Sequence, residues 1–210
     1  MKNLIKNFNL LFIILLIITS CSKSDAPVRV GSFVPIVYTE EETPVSSLER
    51  QLDITAGIEI DNTSGSVAQE RGFEFKSKVK GKINSVSIKL KTAIPNLIVT
   101  IWDATTNTAI GNATISSIAN IKVSENLATP IVIQKDKSYV ISLYVDPNKI
   151  VNLRKNNDLG IYPYTSNNSN ISIETSRSPL SLSSGNSFPF FASKTFWFSN
   201  GLDFKFQRTE

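Results

Sequence analysis

The sequence predicts an all-β protein, a two-sheet antiparallel β-sandwich of the jelly-roll type. From about residue 48 onward, short segments alternate apolar and polar residues with a period of two. Gly, Asn, Asp, Ser and Pro separate these segments, and no long stretch has the apolar spacing of an amphipathic helix. About ten strands in about 160 residues fit a jelly roll, and the alternative is an immunoglobulin-like sandwich, which usually needs fewer residues.

The first 20 residues have the pattern of a bacterial lipoprotein signal. Lys2 and Lys6 precede the apolar run 10–18, which is too short to span a membrane because a spanning helix needs about 20 apolar residues. Two small residues follow the run, and then comes Cys21, the single cysteine of the chain. We therefore expect cleavage before Cys21 and acylation of its thiol. The alternative is an ordinary secretory signal.

Three segments follow from this pattern. Residues 1–20 are the expected signal peptide, residues 21–47 are the lipidated cysteine with a tether, and residues 48–210 are the sandwich domain. The tether contains Pro27, Pro35 and Pro44 together with the acidic run 40–42, and proline and like charge favour extended, solvated chain.

The predicted strands differ in how many of their faces are apolar. Tyr139, Ile141 and Leu143 alternate with smaller or polar residues, which indicates one buried face. The segment 97–102 is apolar on both faces, and we expect it to be a central strand. The predicted strands are residues 73–80, 85–90, 97–102, 109–116, 121–123, 131–133, 139–145, 161–164, 171–173, 196–198 and 202–206.

The composition excludes several function classes. The chain of 210 residues has no histidine, which excludes Ser-His-Asp catalysis and histidine-based zinc sites. Acylation would remove the thiol as well, so we expect no enzyme and no cofactor. Without Lys2 and Lys6 the basic residues fall from 22 to 20 against 18 acidic ones, a net charge of +2, and no basic cluster indicates nucleic acid.

Near the C-terminus the chain has its richest aromatic cluster. Packing of the closing strands is the simpler interpretation, because Leu202, Phe204 and Phe206 have period two. The alternative is an aromatic platform for sugar rings that includes Trp197. The cluster consists of Phe188, Phe190, Phe191, Phe196, Trp197, Phe198, Phe204 and Phe206.

Two further places are candidate ligand sites. Trp102 and Asp103 end a predicted strand, where Asp103 is expected to accept backbone hydrogen bonds in a turn or, as the alternative, to bind Ca²⁺. No D-x-D-x-D spacing supports a metal site, so none is assigned. Tyr162 and Tyr164 share a face beside an Asn-rich loop, a composition that suits a glycan site and is also ordinary for loops and edge strands.

Several segments, in order, resemble a bacterial extracellular domain family of unknown function. They are "GKINSVSIKL", "NLIVTIWDATTNTAIGNATI", "PIVIQKDKSYVISLYV", "GIYPY" and "FWFSNGLDFKF", and the resemblance covers about residues 50–207. It implies a jelly-roll sandwich that often accompanies surface or carbohydrate-active proteins, and it brings no catalytic residues. The residue bias and the "CSKSD" start resemble lipoproteins of the Bacteroidota.

The expected function is that of a non-catalytic, membrane-anchored surface lipoprotein with a binding or structural domain. We expect the outer membrane as its location, periplasmic or surface-exposed, with a glycan or an envelope protein as partner and no nucleic acid. The alternative is a carbohydrate-binding module that uses Trp102, Asp103, Tyr162, Tyr164 or Trp197. A histidine-free enzyme is a remote alternative.

Overall fold

The structure is a computed structural model. It describes residues 36–46, 58–61, 68–145, 152–155, 162–165, 169–179, 187–194, 198–199 and 201–210. The chain divides into two compact units, Met1–Pro35 and Ile36–Glu210, and the described residues all belong to the second unit. The expected lipid attachment at Cys21 and the candidate residue Trp197 lie outside the described residues.

The described chain consists almost entirely of β-strands, with one helical turn at residues 44–46. The strands are β1 (Glu41–Glu42), β2 (Ile58–Asp61), β3 (Gln69–Ser77), β4 (Gly81–Lys89), β5 (Leu97–Asp103), β6 (Thr108–Ile115), β7 (Lys122–Ile133), β8 (Ser138–Val145), β9 (Asn152–Lys155), β10 (Tyr164–Thr165), β11 (Ile171–Ser178), β12 (Phe191–Ser193), β13 (Phe198–Ser199) and β14 (Leu202–Arg208).

Two antiparallel sheets pack face to face. The smaller sheet has the order β1-β14-β4-β7. The larger sheet has the order β10-β11-β3-β8-β5-β6, and β12 pairs with β11. A third sheet, β13-β9-β2, is separate, although β13 lies against β3. The predicted all-β sandwich is therefore confirmed.

The strand pairing has the nested pattern of a jelly roll. β5 pairs with β6, β4 with β7, β3 with β8, and β1 with β14, all antiparallel. This nesting is that of one long hairpin rolled up so that its strands alternate between two four-stranded sheets. The strands β9 to β13 come from the connection between β8 and β14, where they extend the larger sheet and form part of the third.

Aromatic rings from both sheets hold the sandwich together. Phe73 and Phe75 of β3 and Phe204 and Phe206 of β14 are all 0 % exposed. The ring centroids of Phe75 and Phe204 are 4.6 Å apart, which is contact distance for an aromatic pair. For Phe204 and Phe206 the expectation of core packing is confirmed. Each buried ring stabilises the fold by about 1.5–3 kcal/mol relative to exposure.

The sandwich begins earlier in the chain than the sequence pattern suggests. Residues 36–46 were expected in the tether, but the second compact unit starts at Ile36, and β1 pairs with β14. Gln207 Nε2 donates to the carbonyl oxygen of Tyr38 at 2.7 Å, and Arg208 lies over the Tyr38 ring at 4.5 Å. Proline and acidic residues suggested solvated chain here, yet these tertiary contacts dock the segment on the last strand.

Two strand predictions were wrong in detail. The predicted strands 121–123 and 131–133 belong to one strand, β7, whose register with β4 shifts between Ile83 and Ser85. At the C-terminus β13 pairs with β9, whereas β14 pairs with β4, so residues 198–199 and 202–208 do not form a hairpin with each other. Both strands pair instead with strands that are distant in sequence.

Candidate functional site

A surface groove lies between β6 and β7, which are edge strands of different sheets. We call it the edge groove. Its volume is about 560 Å³, within the range of about 300–1,000 Å³ that is usual for ligand pockets. Its lining consists of Asp103, residues 110–112 of β6, residues 127–132 of β7, Gln134, Lys137 and Tyr139.

Local backbone features of both strands shape the edge groove. In β7, Asn126 pairs with Ser85 and Ile131 pairs with Ile83. Residues 127–130 therefore bulge out of the pairing between β7 and β4. In β6, Gly111 is opposite the Ile131 side chain, and a Cβ at Gly111 would lie 2.3 Å from Ile131 Cδ1. A larger residue at position 111 would therefore displace the Ile131 side chain into the groove or away from it.

Exposed polar side chains line the edge groove. Asn112 and Gln134 have exposed side-chain amides that make no hydrogen bond within the described ranges of the chain, and the Thr129 hydroxyl is likewise exposed. Beside them, Ile110 is 39 % exposed and Val132 is 56 % exposed. Amides and a hydroxyl beside aliphatic side chains offer both hydrogen bonds and apolar contact to a bound molecule.

An ion pair closes one end of the edge groove. Lys137 Nζ lies 2.5 Å from Asp103 Oδ2, and Asp103 Oδ1 accepts a hydrogen bond from the Thr105 amide at 2.9 Å. The hydrogen bond from Lys137 holds the pKa of the Asp103 carboxyl below its ordinary value, and the same contact raises the pKa of the Lys137 amine. Asp103 thus accepts a backbone hydrogen bond in the turn, as the sequence suggested, and it also lines the groove.

Trp102 offers no stacking surface of the kind that the carbohydrate hypothesis needs. Its side chain points to the other face of β5 from Asp103 and is 6 % exposed. The indole Nε1–H donates to Ser142 Oγ at 2.7 Å, and the ring packs edge-on against Phe188 with centroids 5.8 Å apart. Burial with a satisfied N–H is the usual arrangement of a structural tryptophan.

The two tyrosines contribute to the core more than to a surface patch. Tyr162 is 8 % exposed and belongs to the main hydrophobic core, and burial raises the pKa of its hydroxyl well above the ordinary value. Tyr164 is half-buried in β10 and packs against the same core, and burial raises the pKa of its hydroxyl too. Trp102 belongs to a different, smaller cluster, so the structure does not unite these aromatics in one site.

The rest of the aromatic cluster divides between core and surface. Phe188 is 6 % exposed, whereas Phe190 and Phe191 are 53 % and 51 % exposed. Phe190 packs edge-on against Phe188, and its carbonyl oxygen accepts a hydrogen bond from Arg177 at 3.0 Å. Phe196 lies with Trp197 outside the described residues, as does the side chain of Phe198.

Sequence reasoning missed the groove amides and two buried carboxyl groups, Glu70 and Asp203. Both carboxyl side chains are 0 % exposed. Glu70 stands in the polar stretch 69–71, which is typical of a loop or of the solvent-exposed face of a strand, so nothing in the sequence pattern predicts its burial. A charged residue between Leu202 and Phe204 was the one available signal for Asp203.

No protein-family model matches the chain, and no curated protein matches it. Within the described ranges, no group of three or more Asp, Glu, Cys or His side chains has a geometry that holds a metal ion. The helical residues among those described form no segment with the length and apolar character needed to cross a membrane.

Proposed function

We propose that the chain is a lipid-anchored outer-membrane protein whose β-sandwich binds a ligand in the edge groove without catalysing a reaction. The observation that carries this proposal is the groove itself. It combines a concave surface on a close-packed frame with amides of Asn112 and Gln134 that have no partner among the described residues. Ligand sites typically place a few polar groups in such a concave, partly apolar setting.

The anchoring part of the proposal depends on Cys21 and the preceding apolar run. An acyl chain contributes about 0.8 kcal/mol for each buried CH₂, and more than one chain gives stable attachment. With the sandwich beginning at Ile36, the segment 22–35 has 14 residues, which span at most about 50 Å when fully extended. That reach suits a binding domain displayed close to the membrane that holds it, on the periplasmic or the outer face.

The chemistry of the groove favours binding over catalysis. Asp103 is the one carboxylate in its described lining, and it is paired with Lys137. Hydrolysis of a glycosidic bond by the common mechanism uses two carboxyl groups on either side of the bond. The chain also has no histidine for general base catalysis.

The side-chain composition of the edge groove favours a glycan as the ligand. Amide and hydroxyl groups beside exposed aliphatic side chains match the alternating hydroxyl and C–H surface of a sugar. The edge groove has this composition in Asn112, Gln134, Thr129, Ile110 and Val132. An envelope protein is the other candidate partner, and it would use the same groove.

A binding screen with matched variants tests the proposal. The anchor-free chain, with Cys21→Ser, is applied to a glycan array and to a detergent extract of envelope proteins. We expect a ligand whose affinity falls at least about tenfold in the double variant Asn112→Ala, Gln134→Ala. Thr114→Ala is the control, because Thr114 is an exposed residue of β6 outside the groove lining. Binding that survives the double variant would refute the groove as the site.

A further inference from the structure

Glu70 is a fully buried acid in the larger sheet. Its side chain is 0 % exposed, although Glu is almost never fully buried without a partner. Ser142 Oγ donates to Glu70 Oε1 at 2.5 Å, and Glu70 Oε2 has no hydrogen-bond partner among the residues that the structure describes. Such a site penalises the ionised form, because a carboxylate needs several donors and finds one among the described residues.

Ser142 connects this acid to Trp102. The Ser142 hydroxyl accepts a hydrogen bond from the Trp102 indole N–H and donates its own proton to Glu70. Gly72 is the cross-strand partner of Ser142, and a Cβ there would lie 1.8 Å from the Ile141 carbonyl oxygen. Because Gly72 has no side chain, the Glu70 carboxyl can extend over it to reach Ser142.

Trp102 in turn supports an aromatic row that ends at the surface. Phe188 packs edge-on against Trp102, and Phe190 packs edge-on against Phe188 with centroids 5.0 Å apart. Trp102, Val140 and Phe188 form a small hydrophobic cluster separate from the main core. We call residues 187–190 the covering segment, since its Phe188 ring covers Trp102 on the face of the sheet opposite the core.

Among the described residues few other charges lie near Glu70, and β13, which lies against β3, consists of the uncharged residues Phe198 and Ser199. On its own face of β3, Glu74 forms an ion pair with Arg177 of β11, and Lys76 follows two positions later. Tyr144 is the cross-strand partner of Glu70 in β8. The residues of β5 that share this face, Ile98, Thr100 and Trp102, are uncharged, as is the covering segment. Burial is the main cause that raises the pKa of Glu70 to about 7, and the Ser142 hydrogen bond partly opposes it.

We propose that Glu70, Ser142 and Trp102 form a pH-responsive latch that controls the packing of the covering segment on the larger sheet. With Glu70 protonated, the carboxyl remains dry, Ser142 stays bonded to it, and Trp102 and Phe188 keep their contact. When Glu70 loses its proton, the charge requires water or further donors, and loosening the aromatic layer supplies water. This inference is independent of the edge groove and of the anchor.

Tryptophan fluorescence of the full chain in detergent tests the latch. The chain has two tryptophans, so Trp197→Phe leaves Trp102 as the single reporter. Between about pH 5 and pH 9 we expect a red shift of its emission with a midpoint near pH 7, while far-ultraviolet circular dichroism stays constant. Glu70→Gln, which keeps the shape and cannot ionise, should abolish the transition.

Lys76→Gln is the matched control, since Lys76 lies on the same face of the same strand beyond the Glu74–Arg177 ion pair, whose arginine contacts the covering segment, and it should leave the transition intact. Hydrogen exchange of the Trp102 indole N–H, measured in the otherwise unmodified chain, gives a second readout that does not depend on the folding of any variant. It should accelerate above neutral pH beyond the intrinsic rate. A transition that persists in Glu70→Gln, or an emission and a corrected exchange rate that do not change with pH, would overturn the proposal.

Discussion

Asp203 in the smaller sheet and Glu70 in the larger sheet are both 0 % exposed, yet their surroundings differ sharply. Asp203 accepts hydrogen bonds from the amides of Val45 and Ser46 at 3.1 Å each, from the Ser46 hydroxyl at 2.8 Å, and from Lys122 Nζ at 2.6 Å. Glu70 accepts one hydrogen bond, from Ser142. A buried carboxylate is stable where donors surround it, and otherwise it retains a proton.

This difference separates a structural clamp at Asp203 from a poorly solvated acid at Glu70. The donors to Asp203 come from the helical turn 44–46, from β7 and from its own strand, so the carboxylate ties the N-terminal segment to the smaller sheet. Glu70 ties together two strands and a tryptophan, and it leaves one oxygen unbonded among the described residues. Charge therefore stabilises one region and destabilises the other.

Removal of the Asp203 carboxylate should have the largest effect. Asp203→Ala leaves three donors of residues 45 and 46 and the Lys122 ammonium without their acceptor, and we expect a loss of about 3–4 kcal/mol in the free energy of unfolding. Urea denaturation of the anchor-free chain measures it. Asp203→Asn keeps one acceptor oxygen and should lose less. A loss below about 1 kcal/mol in the alanine variant would contradict the clamp.

Glu70→Gln should have an effect that depends on pH. The pKa of Glu70 is about 7 in the folded state and about 4.5 in the unfolded state. Between these values the folded chain keeps a proton that the unfolded chain releases, so the contribution of Glu70 to the stability of the natural chain falls as pH rises from 4.5 to 7 and does not change further above pH 7. At pH 8 the glutamine variant should therefore be more stable by up to about 3 kcal/mol, with no gain near pH 4. A gain of equal size at both pH values would sink this interpretation.

Trp102→Phe should have a smaller effect on the free energy of unfolding, and it tests the hydrogen bond between Trp102 and Ser142. It removes the indole donor to Ser142 and leaves a small gap beside Phe188, which together should lower the free energy of unfolding by about 2 kcal/mol. Thermal or urea unfolding detects it. Phe190→Ala is the comparison, because this ring is half exposed, and its removal should have a clearly smaller effect. Equal losses in both variants would argue against Trp102 as the centre of this cluster.

The edge groove should show the smallest effect on stability. Asn112→Ala with Gln134→Ala should change the free energy of unfolding by less than about 0.5 kcal/mol, because both side chains are exposed and make no hydrogen bond within the described ranges. Urea denaturation checks this expectation, and it confirms that a loss of ligand binding in the same variant reflects the site. A large destabilisation would mean that the amides belong to the frame of the sandwich.

Regular alternation made much of the framework predictable. Tyr139, Ile141 and Leu143 are buried in β8 as their period-two pattern predicts. The expectation of a single buried face was wrong for this strand, because Val140 and Ser142 on its other face are also 0 % exposed. The strand β5, which is apolar on both faces, lies between β8 and β6. Local sequence patterns did not predict the pairing of strands that are far apart in the sequence. β1 joins the sheet through β14, more than 160 positions away, and residues 40–42 carry no apolar signal for it.

The candidate site was predictable only in part. Asp103 was found because aspartate at a strand end is a turn signal, and the structure adds its ion pair with Lys137 and its place in the edge groove. Asn112 and Gln134 come together because β6 and β7 are edges of two different sheets, which no local pattern reveals. Trp102 and Tyr162 attracted attention as aromatics, and their burial depends on neighbours distant in sequence.

The central claim of this account is that Glu70 exchanges its proton near neutral pH while buried in the sheet. Carbon-13 NMR of the side-chain carboxyl groups measures it directly, with the Glu70 signal assigned by its absence in Glu70→Gln. We predict a titration midpoint near pH 7 for this signal, accompanied by a shift of the Trp102 indole proton with the same midpoint. A Glu70 signal that titrates near pH 4.5, as a solvated glutamate does, would contradict the account.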